Sequence, residues 1–188
     1  MESDTRILLV EDNHADAELN KREANKVLKK CSFKLVETEE AFLDALIEWQ
    51  PHLVLSDYSM PAFDGLTALA LTLKHAPDTP VIMVTGSVNE DTAVECMKAG
   101  AVNYVIKQSI KRLGTAILHA LEERERKIEH IKAQNALLVS EKRYRSLFEI
   151  SPVGIVVQNA DNVIINVNEA YCNISGYNKD QLIGRKVS

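Results

Sequence analysis

The chain has 188 residues, of which 46% are hydrophobic and 26% charged, and its formal net charge is −5. This composition is typical of a globular protein, and the acidic balance disfavours nucleic acid as a partner of this part of the chain. The longest apolar runs, such as Ile7–Val10, are far too short to cross a bilayer. The start MESD lacks the basic region of a signal peptide, so we expect a cytoplasmic protein without membrane insertion.

Five short apolar runs alternate with longer segments of helical periodicity between Arg6 and Lys107. The runs are RILLV, FKLVE, HLVLSD, PVIMVTG and NYVIK. Such alternation indicates repeated strand–helix units, and therefore a parallel sheet with helices on both faces. Five units fit the doubly wound strand order 2-1-3-4-5, whereas a barrel would need eight. We therefore predict an α/β fold with this sheet, in which Gly100 ends the fourth helix.

Polar residues follow the predicted strands at the edge where this topology places its ligand, outside the carboxyl ends near strands 1 and 3. They are Glu11 and Asp12 after strand 1, Asp57 after strand 3, Thr85 after strand 4 and Lys107 after strand 5. Because the carboxyl ends of parallel strands meet at one edge, we expect these side chains to converge on a single site.

Three of the converging side chains are carboxylates, and two such charges about 4 Å apart repel by about 4 kcal/mol at an effective dielectric constant of 20. A hard cation with oxygen ligands relieves this repulsion, so we predict Mg²⁺ or Mn²⁺, with Mg²⁺ favoured beside phosphate. Lys107 adds a positive charge and Thr85 adds a hydroxyl group. Such a pocket suits phosphoryl transfer, with the Asp57 carboxylate as the nucleophile.

A charged segment without proline runs from Leu113 to Arg145 and has helical character. A heptad frame places apolar residues at a and d positions: Ile117, Leu121, Ile128, Ile131 and Leu138. Arg124 and Asn135 fall on the same seam, and an Asn at an a position can set the register of a coiled coil. We predict a parallel homodimer through a linker helix at residues 114–143. A single solvated helix between two domains is the alternative.

The composition changes again after Tyr144. The stretch GIVVQNADNVIINVN predicts two strands joined by a tight turn at residues 160–162, followed by a short helix near Glu169–Cys172. A single hairpin is marginally stable by itself. We therefore expect residues 144–188 to form the first part of a larger domain.

Four motifs, ILLVEDN, LVLSDYSMPAFDGL, VIMVTGS and YVIK, resemble in order and spacing the signatures of a two-component response-regulator receiver domain. The resemblance assigns residues 1–121 to this domain, with its flavodoxin-like fold. It implies that Asp57 accepts a phosphoryl group from a histidine kinase or a phosphotransfer protein. The implied Mg²⁺ ligands are Glu11, Asp12, Asp57 and the backbone carbonyl of Ser59.

The same resemblance implies that Thr85 and Lys107 contact the phosphoryl oxygens, and that Tyr104 changes rotamer on activation. Ser59 and Ser87 flank the pocket, and we expect them to influence the lifetime of the phosphate. The chain departs from the family at Gln108, where receivers usually have a proline after a cis peptide. A cis bond before a non-proline residue costs about 2.5–4 kcal/mol, so we predict a trans Lys107–Gln108 bond.

The C-terminal stretch from YRSLFEI to GRKV resembles the first part of a PAS sensor domain. The two resemblances together predict a phosphoacceptor switch that relays a conformational or dimerisation change to a PAS-containing region. Such a receiver promotes its own phosphorylation and dephosphorylation, and the segment shows no separate catalytic domain motif. Two alternatives stay open: the front part of a hybrid sensor histidine kinase, and a receiver-like interaction module that is never phosphorylated.

Overall fold

A computed structural model describes residues 4–61, 63–86 and 90–186 of the chain. Ser87, which the sequence places beside the pocket, lies outside the described residues. The chain divides into two compact units, residues 1–129 and 130–188. Within the described ranges, no helix has the length and apolar character that a membrane span requires.

The first unit contains a five-stranded parallel sheet with the order β2-β1-β3-β4-β5. Its strands are β1 (Thr5–Val10), β2 (Cys31–Val36), β3 (Leu53–Asp57), β4 (Val81–Thr85) and β5 (Asn103–Ile106). All five coincide with the apolar runs of the sequence. The predicted doubly wound α/β fold is therefore confirmed.

Helices connect the strands and cover both faces of the sheet. They are α1 (His14–Val27), α2 (Glu39–Asp44) with a π-helical continuation (Ala45–Trp49), α3 (Gly65–His75), α4 (Glu90–Ala99) and α5 (Leu113–Ile150). A 3₁₀ helix, Lys107–Arg112, precedes α5. The side chains of Asn13, Thr38 and Asp64 cap α1, α2 and α3 by accepting first-turn N–H groups. Gly100, with φ +108°, follows α4 as predicted.

Successive side chains of the interior strand β1 belong to opposite hydrophobic clusters, because strand side chains alternate between the two faces. One cluster joins β1 to α2, α3 and α4 through Leu8, Val10, Phe42, Leu69 and Cys96. The other joins β1 to α1 and α5 through Ile7, Leu9, Ala24 and Ile117. Both faces of the sheet are thus buried, and the polar residues of the predicted site lie at the carboxyl ends of its strands.

The first turns of α5 belong to the core of the first unit. Ile117 is fully buried, and Leu121 is partly buried against the same cluster. Both residues lie on the predicted coiled-coil seam, but here they cover the sheet. Burying a side chain such as Ile117 stabilises the fold by about 1.5–3 kcal/mol. The seam residues from Ile128 onward are not part of this cluster.

Asp78, in the loop between α3 and β4, holds the next two turns of α5. Its backbone carbonyl accepts a hydrogen bond from Nε of Arg124 at 3.1 Å. Its carboxylate lies 2.9 Å from Nζ of Lys127. Arg124, a predicted seam residue, therefore contacts the loop between α3 and β4 through its guanidinium group.

Gly65 allows α3 to begin against the end of β3. Its N–H group donates to the carbonyl oxygen of Tyr58 at 3.1 Å. A Cβ atom at this position would overlap the carbonyl oxygen of Asp57 and would lie 2.5 Å from the terminal methyl group of Met83. The close approach explains why a glycine opens this helix.

The second unit contains an antiparallel hairpin and two short helices. They are β6 (Val156–Gln158), β7 (Ile164–Val167), α6 (Glu169–Ser175) and α7 (Lys179–Leu182). The turn between the strands contains Asn162 with φ +62°, within the predicted turn. The hydrophobic cluster of this unit is small: Ile164, Val167 and Leu182 are buried, and Val156, Tyr171 and Cys172 pack against them.

Asn168 organises the second unit through hydrogen bonds from a fully buried side chain. Its Oδ1 accepts the N–H groups of Ile155 at 2.8 Å and Tyr171 at 3.0 Å. Its Nδ2 donates to the carbonyl oxygens of Phe148 at 3.0 Å and Val153 at 2.9 Å. One amide therefore joins the end of α5, the following loop and the start of α6.

We expect Gly65→Ala to lower the free energy of unfolding by about 1–3 kcal/mol, because overpacking displaces the start of α3. Urea denaturation of the full chain measures this change. Gly86→Ala is the matched control, since a Cβ atom there has no heavy atom within 4 Å. Equal stability of the Gly65→Ala variant and the wild type would contradict the packing argument.

We expect Asn168→Ala to destabilise the second unit by about 1–3 kcal/mol, because buried backbone groups lose their partners. Hydrogen exchange should accelerate at the amides of Ile155 and Tyr171. Asn173→Ala, at an exposed position of α6, removes the same group without this network and serves as the control. Unchanged protection in the Asn168→Ala variant would show that the network is not needed.

Candidate functional site

Asp57 is the last residue of β3, and its side chain is only 10% exposed. Its Oδ1 accepts the backbone N–H of Ser59 at 3.2 Å. Its Oδ2 accepts a hydrogen bond from Nζ of Lys107 at 2.6 Å. The carboxylate that the sequence places at the end of a buried strand is therefore compensated by a positive charge and a backbone donor.

Lys107 follows β5 and extends its ammonium group into a set of carboxylates. Besides Asp57, its Nζ lies 2.9 Å from Oε2 of Glu11 and 2.7 Å from Oδ2 of Asp16. The Lys107 side chain is 17% exposed, so the three ion pairs are largely shielded from water. Charge-assisted hydrogen bonds in such surroundings are short and strong.

The electrostatics of Lys107 and Glu11 reflect this arrangement. Burial disfavours the charged form of Lys107, but hydrogen bonds to Asp16, Asp57 and Glu11 outweigh it and raise the pKa of the ammonium group above its usual value. Burial raises the pKa of Glu11, and the charge of Asp57 adds to this effect, while the hydrogen bond from Lys107 opposes it. Lys107 therefore stays positively charged at neutral pH.

Glu11, Asp12 and Asp57 form a group whose carboxylate oxygens can lie within 4.8 Å of one another. Glu11 is 1% exposed, and its Oε1 accepts the N–H of Asn13 at 3.2 Å, which fixes the carboxylate. Asp12 is exposed and faces the solvent side of the group. An all-oxygen donor set of this kind fits a hard divalent cation such as Mg²⁺.

Thr85, Ser59 and Tyr104 are the other residues of the predicted site. Thr85 ends β4, the strand beside β3, and is 1% exposed. Ser59 is exposed two residues after Asp57. Tyr104 lies in β5 and is partly buried against the core cluster of α2, α3 and α4. The predicted residues thus come from four neighbouring segments at the carboxyl edge of the sheet.

Two contacts at the site were not predicted from the sequence. Asp16, in the first turn of α1, is a third partner of Lys107. The O–H group of Tyr58, next to the acceptor, donates to Glu95 of α4 at 3.1 Å, and this hydrogen bond raises the pKa of Tyr58. Asp16 could not be predicted to enter the pocket, because an acidic residue in the first turn of a helix usually complements the helix dipole.

The Lys107–Gln108 peptide is trans, as predicted. The chain then enters the 3₁₀ helix Lys107–Arg112, which has no side-chain cap and in which Ser109 has non-helical angles of φ −113° and ψ 32°. Gln108 and Ser109 are exposed, whereas Ile110 packs against the core of the sheet. The connection to α5 is therefore made by a tight turn.

Comparison with known families identifies both parts of the chain. Residues 7–118 match the response regulator receiver domain, and residues 142–188 match a PAS domain. The regulatory protein AtoC of Escherichia coli is 37% identical over 91 residues, which cover 48% of this chain and 20% of that protein. The response regulator FleR of Pseudomonas aeruginosa is 37% identical over 105 residues, 54% of this chain and 21% of its own length. The chain thus spans about a fifth of these relatives.

Solved structures support the same assignment. A CheY-like response regulator receiver domain protein from Methanospirillum hungatei superposes with a TM-score of 0.59 and 27% identity, covering 66% of this chain and 99% of the other. NtrX from Brucella abortus has a TM-score of 0.61 and 27% identity, covering 68% of this chain and 29% of its own. The sheet order, the acidic pocket and these matches show that the chain belongs to the response regulator receiver domain family and continues into a PAS domain segment.

Proposed function

We propose that this chain is a phosphorylation-controlled switch in which Asp57 accepts a phosphoryl group from a histidine kinase or a phosphotransfer protein. The observation that carries the proposal is the ion pair of 2.6 Å between Asp57 and Lys107 at the carboxyl end of β3. The neighbouring group of Glu11 and Asp12 supports it, because these carboxylates suit a cation that lies beside phosphate.

The proposed reaction is a displacement at phosphorus. An oxygen of the Asp57 carboxylate attacks the phosphorus atom of a phosphohistidine, the P–N bond breaks, and the imidazole of the partner leaves with the electron pair. Lys107 and Thr85 then donate hydrogen bonds to the phosphoryl oxygens. Since the side chains are already placed by the sheet, little reorganisation is needed at the moment of transfer.

The Mg²⁺ site of this proposal uses the side chains of Glu11, Asp12 and Asp57, with the backbone carbonyl of Ser59 as a further ligand. A bound Mg²⁺ supplies charge neutralisation for the transferring oxygens. The chain itself contributes the fixed direction of the ligands: Asn13 holds Glu11, and the N–H of Ser59 holds one oxygen of Asp57.

The output of the switch is proposed to start at Thr85, on the strand β4 beside the phosphoacceptor, and at Tyr104, on the next strand β5, and to reach the PAS segment. A shift from 1:99 to 99:1 in favour of the active state requires about 5.5 kcal/mol of differential stabilisation. The hydrogen bond from Tyr58 to Glu95 supports a link to α4, because it starts at the residue after Asp57.

The linker helix is proposed to join two copies of the chain. Ile131 and Leu138 are 39% and 53% exposed at seam positions, and Asn135 lies between them on the seam, where it can select the register. Because Ile117 and Leu121 are used in the core of the first unit, the proposed contact is shorter than the heptad pattern of the sequence.

We expect a small phosphodonor with Mg²⁺ to add one acid-labile phosphate to the wild-type chain, and Asp57→Asn to abolish this addition. Intact mass spectrometry measures the product. Asp44→Asn, which removes a carboxylate from an exposed position of α2, is the control and should be phosphorylated like the wild type. No mass increase in the wild type, or an equal increase in the Asp57→Asn variant, would refute the proposed acceptor.

We expect the double substitution Ile131→Lys and Leu138→Lys to convert a dimer into a monomer, because charges on both seam residues oppose their burial. Light scattering at several concentrations measures the mass. The matched control places lysines at Ala133 and Leu137, which are exposed at the f and c positions of the same heptad frame, away from the contact. A monomeric wild type at all concentrations would exclude the coiled-coil contact.

A further inference from the structure

The ammonium group of Lys107 has its three N–H donors directed at three different carboxylates. They belong to Glu11, Asp16 and Asp57, at 2.9, 2.7 and 2.6 Å from Nζ. Glu11 and Asp57 are also members of the group that can hold a cation, whereas Asp16 is not. Glu11 and Asp57 can therefore bind either Lys107 or a cation, whereas Asp16 binds Lys107 alone among these two.

Ion pairing with Lys107 and binding of a metal ion compete for the carboxylates of Glu11 and Asp57. An oxygen that accepts a hydrogen bond from an ammonium group offers less negative charge to a metal ion, and two cations at the same carboxylates repel each other. If Lys107 had Glu11 and Asp57 as its sole partners, a cation bound at these carboxylates would weaken both of its ion pairs. The proposed phosphoryl transfer needs both positive charges in the pocket at once.

We propose that Asp16 is a positioning residue that retains the Lys107 ammonium group while Glu11 and Asp57 serve as ligands of a divalent cation. Asp16 thereby lowers the cost of cation binding and keeps Lys107 beside the acceptor. This inference rests on the proposed function of the site, since its purpose is to keep both positive charges beside Asp57.

The position of Asp16 suits this role. It lies in the first turn of α1, where the helix N-terminus favours a carboxylate. The helix is fixed against the sheet by Ala17 and Ala24, which are 1% and 0% exposed. Asp16 is therefore held at a constant place, and its side chain is 31% exposed, so its removal leaves no large cavity.

Titration of the full, unphosphorylated chain with MgCl₂ by isothermal calorimetry at constant ionic strength tests the proposal. We expect Asp16→Ala to raise the Kd for Mg²⁺ roughly tenfold, the order of magnitude by which loss of an outer-shell residue weakens metal binding. Asp16→Asn, which keeps an oxygen acceptor but loses the charge, should give a loss in the same direction.

Glu18→Gln is the matched control, because it removes one negative charge from the same helix, and the Glu18 carboxylate pairs with Lys21 at 2.7 Å instead of with Lys107. It should bind Mg²⁺ as the wild type does. An unchanged Kd in the Asp16→Ala variant would overturn the proposal. An equal loss of Mg²⁺ affinity in the Asp16→Ala and Glu18→Gln variants would also overturn it, because net charge alone would then explain the effect.

A spectroscopic measurement separates positioning from a general structural role. With ¹⁵N-labelled lysine, the Lys107 ammonium signal should persist when Mg²⁺ saturates the wild type, and should broaden through proton exchange in the Asp16→Ala variant. Retention of the signal in that variant would overturn the proposal.

These measurements distinguish the inference from the proposed function. Cation affinity and the Lys107 signal are measured without a phosphodonor, so a failure of Asp57 to accept phosphate would refute the proposed function without altering either result. Conversely, a phosphorylated chain with the same Mg²⁺ affinity in Asp16→Ala and wild type would refute the role of Asp16 alone.

Discussion

The charge of Lys107 is the interaction on which the acidic edge of this sheet depends. Glu11, Asp16 and Asp57 all contact this one ammonium group, and Asp12 adds a fourth carboxylate nearby. Without the positive charge of Lys107, the buried carboxylates of Glu11 and Asp57, at the ends of two neighbouring strands, would repel each other at close range. The geometry of the pocket is thus a consequence of where β1, β3 and β5 end, because each delivers one partner of the same ion-pair cluster.

Much of this arrangement could be predicted from the sequence. The apolar runs specify the strands, and a parallel doubly wound sheet brings the carboxyl ends of β1 and β3 together. Residues that end a strand, such as Asp57, or directly follow one, such as Glu11 and Lys107, therefore have a predictable location. Asp16 does not, because it lies a turn into a helix, and its direction depends on how α1 packs against the sheet.

The heptad pattern of α5 shows a different limit of sequence reasoning. A stripe of apolar residues has the same spacing whether the helix packs on a sheet or on another helix. Ile117 and Leu121 follow the heptad frame, yet they are buried in the core of the first unit. Arg124 also fits the frame but donates to the carbonyl of Asp78. Only the tertiary contacts separate the part of the stripe that belongs to the fold from the part that is available for association.

The contacts of Asp78 with Arg124 and Lys127 show how far along α5 the helix interacts with the receiver domain. The family match ends at residue 118, but Arg124 and Lys127 still contact the loop that carries Asp78. A chimaera that joins this receiver to a foreign output at residue 118 would remove both partners and expose the loop. A junction placed after Lys127 keeps both contacts with Asp78. A transferable receiver domain should therefore include about two more turns of α5 than the family match, which ends at residue 118.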